Sequence, residues 1–226
     1  MECYRCGTWD GQKCDCKDGQ TIFHGDCREL LSEMPKLDLV LTDPPYGISY
    51  NKCKPQQKHA FNNRRNLEQV QNDDKLFDAA HLLELGKSHI IWGANCFPHS
   101  LPVSKTWLTW DKVTKNGMAV RIAETELAWS DCVGRSRCFR FMWSGCYRAD
   151  ERGDSFHPTQ KAIKLMRWCI DITRPVPATI IDPYMGSGTT LRACKDMGKQ
   201  GIGIELEEKY CEIAANRLRQ EVLAFS

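Results

Sequence analysis

Asp43-Pro44-Pro45-Tyr46 closes an apolar run that starts at Leu39. Proline lacks an N–H and fixes its own φ, so two in a row stop a strand. A stop requires neither an acid before the prolines nor an aromatic ring after them. With two donors removed, the carbonyl oxygens of the turn are left to accept hydrogen bonds from elsewhere. The Asp43 carboxylate and the Pro44 carbonyl are then two acceptors, suited to the hydrogens of an NH₂ group. Tyr46 offers a ring face on which a planar base can stack. Taken alone, the four residues read equally well as a turn that merely ends a strand.

A second constellation lies near the C-terminus. Asp182-Pro183-Tyr184-Met185-Gly186-Ser187-Gly188 is followed by Gly201-Ile202-Gly203-Ile204-Glu205. Glycines let a backbone approach a ligand, and an acid at the end of the next strand accepts from ribose hydroxyls. Glu205 comes 19 residues after Gly186, near the spacing of a ribose acid. The loop also fits a tight strand–helix turn with a surface acid, and it does not separate NAD from S-adenosylmethionine. Asp182 bears on that choice. An acid facing the loop repels a pyrophosphate but accepts from an ammonium. S-adenosylmethionine carries an ammonium and a sulfonium and no phosphate. An exocyclic amine such as that of adenine is a poor nucleophile, because the ring takes up its lone pair. Two acceptors on its hydrogens favour a pyramidal nitrogen aimed at a methyl sulfonium. Catalysis of that kind rests on positioning and electrostatics.

These residues need elements to hold them. Short apolar runs predict strands at 21–24, 37–42, 89–92, 179–181 and 201–204. Further β patterns fall at 106–110 and 126–129, with a hairpin strand at 139–143. Helical spacing predicts helices at 27–34, 74–85, 162–173, 189–197 and 209–223. The 74–85 helix rests on Leu76, Phe77, Ala80 and Leu83, and Pro175 and Pro177 end the 162–173 helix. The run at 37–42 is apolar at nearly every position, as in a parallel strand buried on both faces. Alternation of such strands with amphipathic helices predicts an α/β fold with a mainly parallel sheet.

The chain has 226 residues, enough for one core and a small appendage. The formal net charge is +2, so no global basic excess advertises nucleic acid, and any such signal must be local. No apolar run approaches the length of a membrane span. Residues 1–20 are polar and Cys-rich, unlike a signal peptide, and the expectation is a cytoplasmic protein. Of the 13 cysteines, nine are scattered: Cys27, Cys53, Cys96, Cys132, Cys138, Cys146, Cys169, Cys194 and Cys211. They read as reduced, small core hydrophobes.

Taken in order, the motifs resemble the amino-group DNA methyltransferases, which methylate adenine N6 or cytosine N4 with S-adenosylmethionine. The order is DPPY, a variable middle, HPTQKAIKLMRWCID (157–171), DPYMGSGTT and GIGIE. It is similar to the permuted, beta-type arrangement, and more narrowly to small phage-borne adenine enzymes. The resemblance covers roughly residues 20–220. It implies a Rossmann-like methyltransferase fold in a bacterial cell or phage-infected host, with DNA as partner and no membrane. It leaves the choice of monomer or homodimer open. It implies that Asp43, Pro44, Pro45 and Tyr46 hold the target base. Asp182, Tyr184, Gly186 and Gly188 would line the methionine part of the cofactor, Glu205 would bind ribose, and Asp26 would approach the adenine. Thr159 and Lys161 would cover the methionine end, with His157 beside them. Two departures are visible: Tyr184 stands where the family usually has Phe, and Ala162 where Pro usually follows the lysine. Asp43 is typical of adenine enzymes, whereas cytosine-N4 enzymes more often have Ser. The implied reaction is methyl transfer to adenine N6. The alternatives are cytosine N4 and a silent DNA-binding protein of the same fold.

Two basic stretches interrupt the catalytic domain expected over 20–226. The first, at about 47–66, carries Lys52, Lys54, Lys58, Arg64 and Arg65 and no acid. The second, at about 133–148, carries Arg135, Arg137, Arg140 and Arg148 among Phe139, Phe141, Trp143 and Tyr147. Cations neutralise phosphates and rings stack on bases, as flipping a base out of a duplex requires. The first stretch reads otherwise as a solvated loop, and the second as a half-buried strand with an arginine edge. Ahead of the domain, residues 1–19 hold Cys3-x₂-Cys6 and Cys14-x-Cys16. Four thiols so close suggest a structural zinc site in a segment with no core of its own. The second pair departs from the usual C-x₂-C, and two disulfides or a disordered tail are the other readings.

Overall fold

The computed structural model describes residues 1–11, 14–30, 34–47, 75–112, 123–144, 147–148 and 160–220. In chain order the strands are β1 (Gln20–His24), β2 (Leu39–Thr42), β3 (His89–Trp92), β4 (Thr106–Asp111), β5 (Thr125–Ser130), β6 (Arg137–Arg140), β7 (Trp143–Ser144), β8 (Tyr147–Arg148), β9 (Thr179–Asp182) and β10 (Gln200–Glu205). The α-helices are α1 (Cys27–Leu30), α2 (Ile163–Ile172), α3 (Thr189–Asp196) and α4 (Glu208–Arg219). Eight strands form one sheet in the order β1-β10-β9-β2-β3-β5-β4-β6. The first five run parallel, β5 is antiparallel to both its neighbours, and β6 runs parallel to β4. A two-residue hairpin pair, β7 and β8, stands apart.

Why β2 is buried on both faces follows from its side chains. Leu39 and Leu41 point to one side, among Trp92, Leu108 and residues of α2 such as Leu165 and Met166. Val40 points to the other, with Phe77, Leu82, Ile91 and Phe97. A third cluster seats α4, through Cys211, Ala214 and Leu218, on Ile22 and Leu191. Each fully buried aliphatic chain here contributes about 1.5–3 kcal/mol of transfer free energy.

The chain leaves β9 through α3 to reach β10, whereas β3 lies on the far side of β2. Strand order therefore reverses between β9 and β2. In open α/β sheets, ligands bind outside the carboxyl ends of the strands at such a point. Asp182 ends β9 and Asp43 follows β2, so both sequence motifs converge there.

Three sequence expectations need correction. The 74–85 helix is absent: residues 75–79 are irregular and only Ala80–Glu84 coil, as a 3₁₀ turn. Leu76, counted toward a helical face, is 73% exposed. The segment is instead pinned by tertiary contacts. Phe77 packs edge-on to Phe97 and Tyr184, and the Ala79 N–H donates to Ser100 Oγ. The strand placed at 139–143 is two elements, because Arg137–Arg140 joins the main sheet and Trp143 starts the small hairpin. Among the scattered cysteines, Cys27, Cys169, Cys194 and Cys211 are buried, but Cys138 is exposed on the edge strand β6. Cys53 and Cys146 lie outside the described residues.

Candidate active site

Thr42, the last residue of β2, donates its hydroxyl to Asp182 Oδ1 at 2.7 Å. That bond ties the two motifs together across the switch point. Asp182 also accepts from Thr190 Oγ1 (2.6 Å) and from the Tyr184 N–H (3.2 Å). Burial pushes its carboxyl up to about 6, with those three donors working in the opposite direction. Glu205 accepts from the Gly186 N–H at 3.0 Å and from the Glu207 N–H at 2.9 Å. Burial lifts Glu205 to about 7. Among the described residues neither acid forms an ion pair. A buried carboxylate, Asp182, and a half-buried one, Glu205, flank the glycine loop without a cation among the described residues, an environment that suits a cationic ligand and opposes a pyrophosphate.

The loop itself needs its glycines. Gly186 and Gly188 have φ of +50° and +78°, the left-handed region that other residues resist. At Gly188 a Cβ would also run into Ala214 of α4. Tyr184 donates to or accepts from His81 Nε2 at 3.0 Å, and its ring packs edge-on to Phe77. The hydroxyl that distinguishes it from Phe therefore has a partner. Asp43, Lys161, Asp182, Tyr184, Gly186 and Thr190 line one cleft.

On the other side of the switch point the electrostatics are different. Tyr46 donates to Asp43 Oδ1 at 2.6 Å, and Lys161 Nζ pairs with Asp43 Oδ2. Lys161 also lies 3.2 Å from the Tyr46 hydroxyl and 3.1 Å from Glu126 Oε2. Glu126 in turn pairs with Lys112 through Oε1, and Lys112 sits over the Trp110 ring. Two carboxylates and two ammoniums thus form one network, with the ammoniums buried and the carboxylates partly so. Burial opposes the charge on Lys161, but Asp43 and Glu126 outweigh it and raise its pKa. Burial likewise opposes ionisation of Glu126, and Lys161 and Lys112 outweigh it and lower the pKa. For Asp43 burial prevails over Lys161, and its carboxyl stands above the ordinary range.

Glu126 gave no motif signal, and only register explains its position. Ala128 of β5 pairs with Trp92, the last residue of β3. Two residues earlier, Glu126 pairs with Trp110 beyond the end of β3. It therefore overhangs the crevice on the same face as Ala128, the face that carries α2. Lys161 leads into α2 from that side.

The remaining expected residues fall as follows. Asp26 caps α1, accepting the Arg28 N–H at 2.9 Å beside the carboxyl end of β1. Pro44 is buried and Pro45 half-buried. Arg135 and Arg137 are exposed. Arg137 is level with Leu108, Ala128 and Trp92, on the edge strand β6. The rings beside them are packing residues: Phe139 lies against Trp168 at 5.2 Å, Phe141 packs on the core, and Trp143 is buried. Lys52, Lys54, Lys58, Arg64, Arg65, Arg148, His157 and Thr159 lie outside the residues whose side chains are described.

Residues 50–216 match the family model described as DNA methylase, for N6 and N4 enzymes. The chain belongs to that family. The matched span begins after Asp43-Pro44-Pro45-Tyr46 and does not include them. Among curated relatives, the Type II methyltransferase M.HinfI of Haemophilus influenzae is 27% identical, over 88% of this chain and 68% of its own. M2.DpnII of Streptococcus pneumoniae is 37% identical over a shorter stretch, 35% of this chain and 30% of its own. The fold resembles the crystal structure of the M1.HpyAVI–SAM complex, with 24% identity, 89% of this chain and 100% of that one covered, and a TM-score of 0.57. It also resembles the PvuII cytosine-N4-specific DNA methyltransferase, with 16% identity, 91% and 88% covered, and a TM-score of 0.59. This DNA methylase is thus a Rossmann-like S-adenosylmethionine-dependent enzyme with a mostly parallel sheet. Among its described residues no helix is long and apolar enough to cross a membrane.

Proposed function

We propose that this methylase transfers a methyl group to the N6 amine of adenine in DNA. The observation that carries the reading is the 2.7 Å bond between Thr42 and Asp182, which sets the amine-gripping motif against the cofactor loop. Bound there, S-adenosylmethionine supplies an electrophilic methyl on a sulfonium. Asp182 and Glu205 are the acids for its ammonium and ribose, Gly186 and Gly188 allow close backbone approach, and Tyr184 lines the methionine part. In this reading Asp26 approaches the adenine and Thr159 covers the methionine end.

On the substrate side, Asp43 and the Pro44 carbonyl accept the two hydrogens of the amine, and Tyr46 stacks on the flipped ring. Asp43 is already engaged by Lys161, so a base can enter only as that ammonium moves to Glu126. With S-adenosylmethionine bound, its sulfonium would release the methyl and keep the bonding pair, while Asp43 and the Pro44 carbonyl would aim the nitrogen lone pair at that carbon. The nitrogen's surplus proton then passes to the Asp43 carboxylate, whose raised pKa suits it as acceptor. The exposed Arg135 and Arg137, with Lys52, Lys54, Lys58, Arg64 and Arg65, are the phosphate contacts.

Asp rather than Ser at position 43 is the reason for adenine over cytosine. Labelled S-adenosylmethionine, DNA rich in varied sites and nucleoside analysis of the digest test the reading. N6-methyladenine is expected. N4-methylcytosine would transfer the same chemistry to the other base, and no labelled nucleoside would leave a silent DNA-binding protein.

A further inference from the structure

We infer that Cys3, Cys6, Cys14 and Cys16 form a closed structural zinc site at the end of the sheet away from the catalytic crevice. Their four sulfurs all lie within 4.8 Å of one another, and Cys3 Sγ to Cys16 Sγ is 3.9 Å. Zinc–thiolate bonds of about 2.3 Å at tetrahedral angles separate the sulfurs by about 3.8 Å. A disulfide would draw one pair to about 2.05 Å, and all four thiols are free. The convergence of all four sulfurs at that spacing suits one metal ion better than two disulfides.

The surrounding backbone is built for it. The N–H groups of Cys6 and Gly7 both turn back to the Cys3 carbonyl, at 3.3 and 2.8 Å. Gly7 takes φ +76°, which lets the chain leave so tight a turn. Thr21 Oγ1 lies 3.1 Å from Cys14 Sγ, and Thr8 Oγ1 lies 3.2 Å from Cys6 Sγ. Such outer contacts orient ligands. Arg5 is held by Asp18 in a two-pronged pair at 2.6 and 2.9 Å. That pair ties the turn carrying Cys3 and Cys6 to the chain just after Cys14 and Cys16.

Position argues for a structural role. Cys14 and Cys16 line a hollow with Gly19, Leu37, Thr179 and Gln200, which mark the amino ends of the parallel strands. The crevice opens at their carboxyl ends. The segment also covers the sheet's outer strand β1: the Tyr4 N–H donates to the Ile22 carbonyl at 2.7 Å, and Trp9 packs edge-on to Phe23 at 5.0 Å. An uncovered edge strand invites pairing with another chain. Metal cross-linking holds the cover in place where apolar burial is too small to do so.

The test uses the full chain, expressed with zinc and dialysed. Elemental analysis is expected to give about one zinc per chain. Cobalt substitution should give the charge-transfer and d–d absorption of tetrahedral thiolate coordination. Alkylation mapping should find Cys3, Cys6, Cys14 and Cys16 protected until a chelator is added. The double variant Cys14→Ser/Cys16→Ser should lose the metal, whereas Cys138→Ser keeps it. Zinc below a few tenths of an equivalent after reconstitution, or the four thiols alkylated as fast with zinc as without, overturns the site. The mapping is done on the wild-type chain, so it decides even if the double variant fails to fold.

Discussion

Lys161 sits between two carboxylates, and whichever of them holds it controls access to Asp43. Its ammonium lies 3.1 Å from Glu126 Oε2, yet that oxygen has no aligned hydrogen bond. Glu126 can therefore take more of the lysine when a base claims Asp43. Glu126→Gln removes the receiving charge and leaves Lys161 on Asp43. We expect kcat to fall about tenfold, equivalent to ~1.4 kcal/mol, with cofactor affinity unchanged. Steady-state kinetics beside calorimetric titration of the cofactor reads both, and an unaltered kcat would show that Lys161 leaves Asp43 unaided. Glu205 carries a second prediction. Burial holds it near 7 in the free protein. Hydrogen bonds from ribose favour its ionised form, so its pKa is lower in the complex and binding releases a proton. Cofactor affinity should then rise as pH climbs from ~6 to ~7.5, below the range where an α-ammonium itself deprotonates. Glu205→Gln should flatten that slope and weaken binding by about 1.5–3 kcal/mol. A slope that persists in the variant would assign the titration elsewhere.

At the scale of elements, the crevice depends on how β3 ends. Gly93 follows it with φ +73°, and a Cβ there would fall within the Tyr46 ring. The glycine both ends a strand and leaves room for the ring that reaches Asp43. Gly93→Ala should push Tyr46 off Asp43 and destabilise the fold by about 1–3 kcal/mol through overpacking. Gly198→Ala is the control, since Gly198 shares a left-handed φ of +64° but has open space around it. Melting curves and methyl-transfer rates of both variants separate strain from clash. Equal activity in the two would deny Tyr46 its place. The same register logic explains what was legible. The apolar runs of β2 and β9 announce themselves, and so do the motifs at their ends. The overhang of β5 depends on pairing with β3 and β4, and no local pattern at Glu126 reports it.

For the whole molecule, a net charge of +2 means that DNA affinity must come from a few local cations. Arg64→Glu/Arg65→Glu should weaken DNA binding more than cofactor binding and reduce the salt slope by about two contacts. Filter binding across a salt series, beside cofactor titration, checks it. Equal loss of both affinities, or of neither, would remove the 47–66 stretch from the interface. The molecule divides its charges by function. Among the described residues, Asp182 and Glu205 have no cation beside them, whereas Asp43 and Glu126 each pair with a lysine.

The sequence by itself determined the parallel α/β class and the two strand-end motifs, because periodicity, proline stops and glycine loops are local properties, and the order of its motifs carried the resemblance to the family. It also marked the four N-terminal cysteines. The tertiary structure alone decided that Asp43 meets Lys161, that Glu126 completes the network, and that residues 75–79 are held by Phe77 and Ala79 instead of coiling. Each of these depends on partners distant in the chain, and burial strengthens their pairing beyond what local propensity expresses.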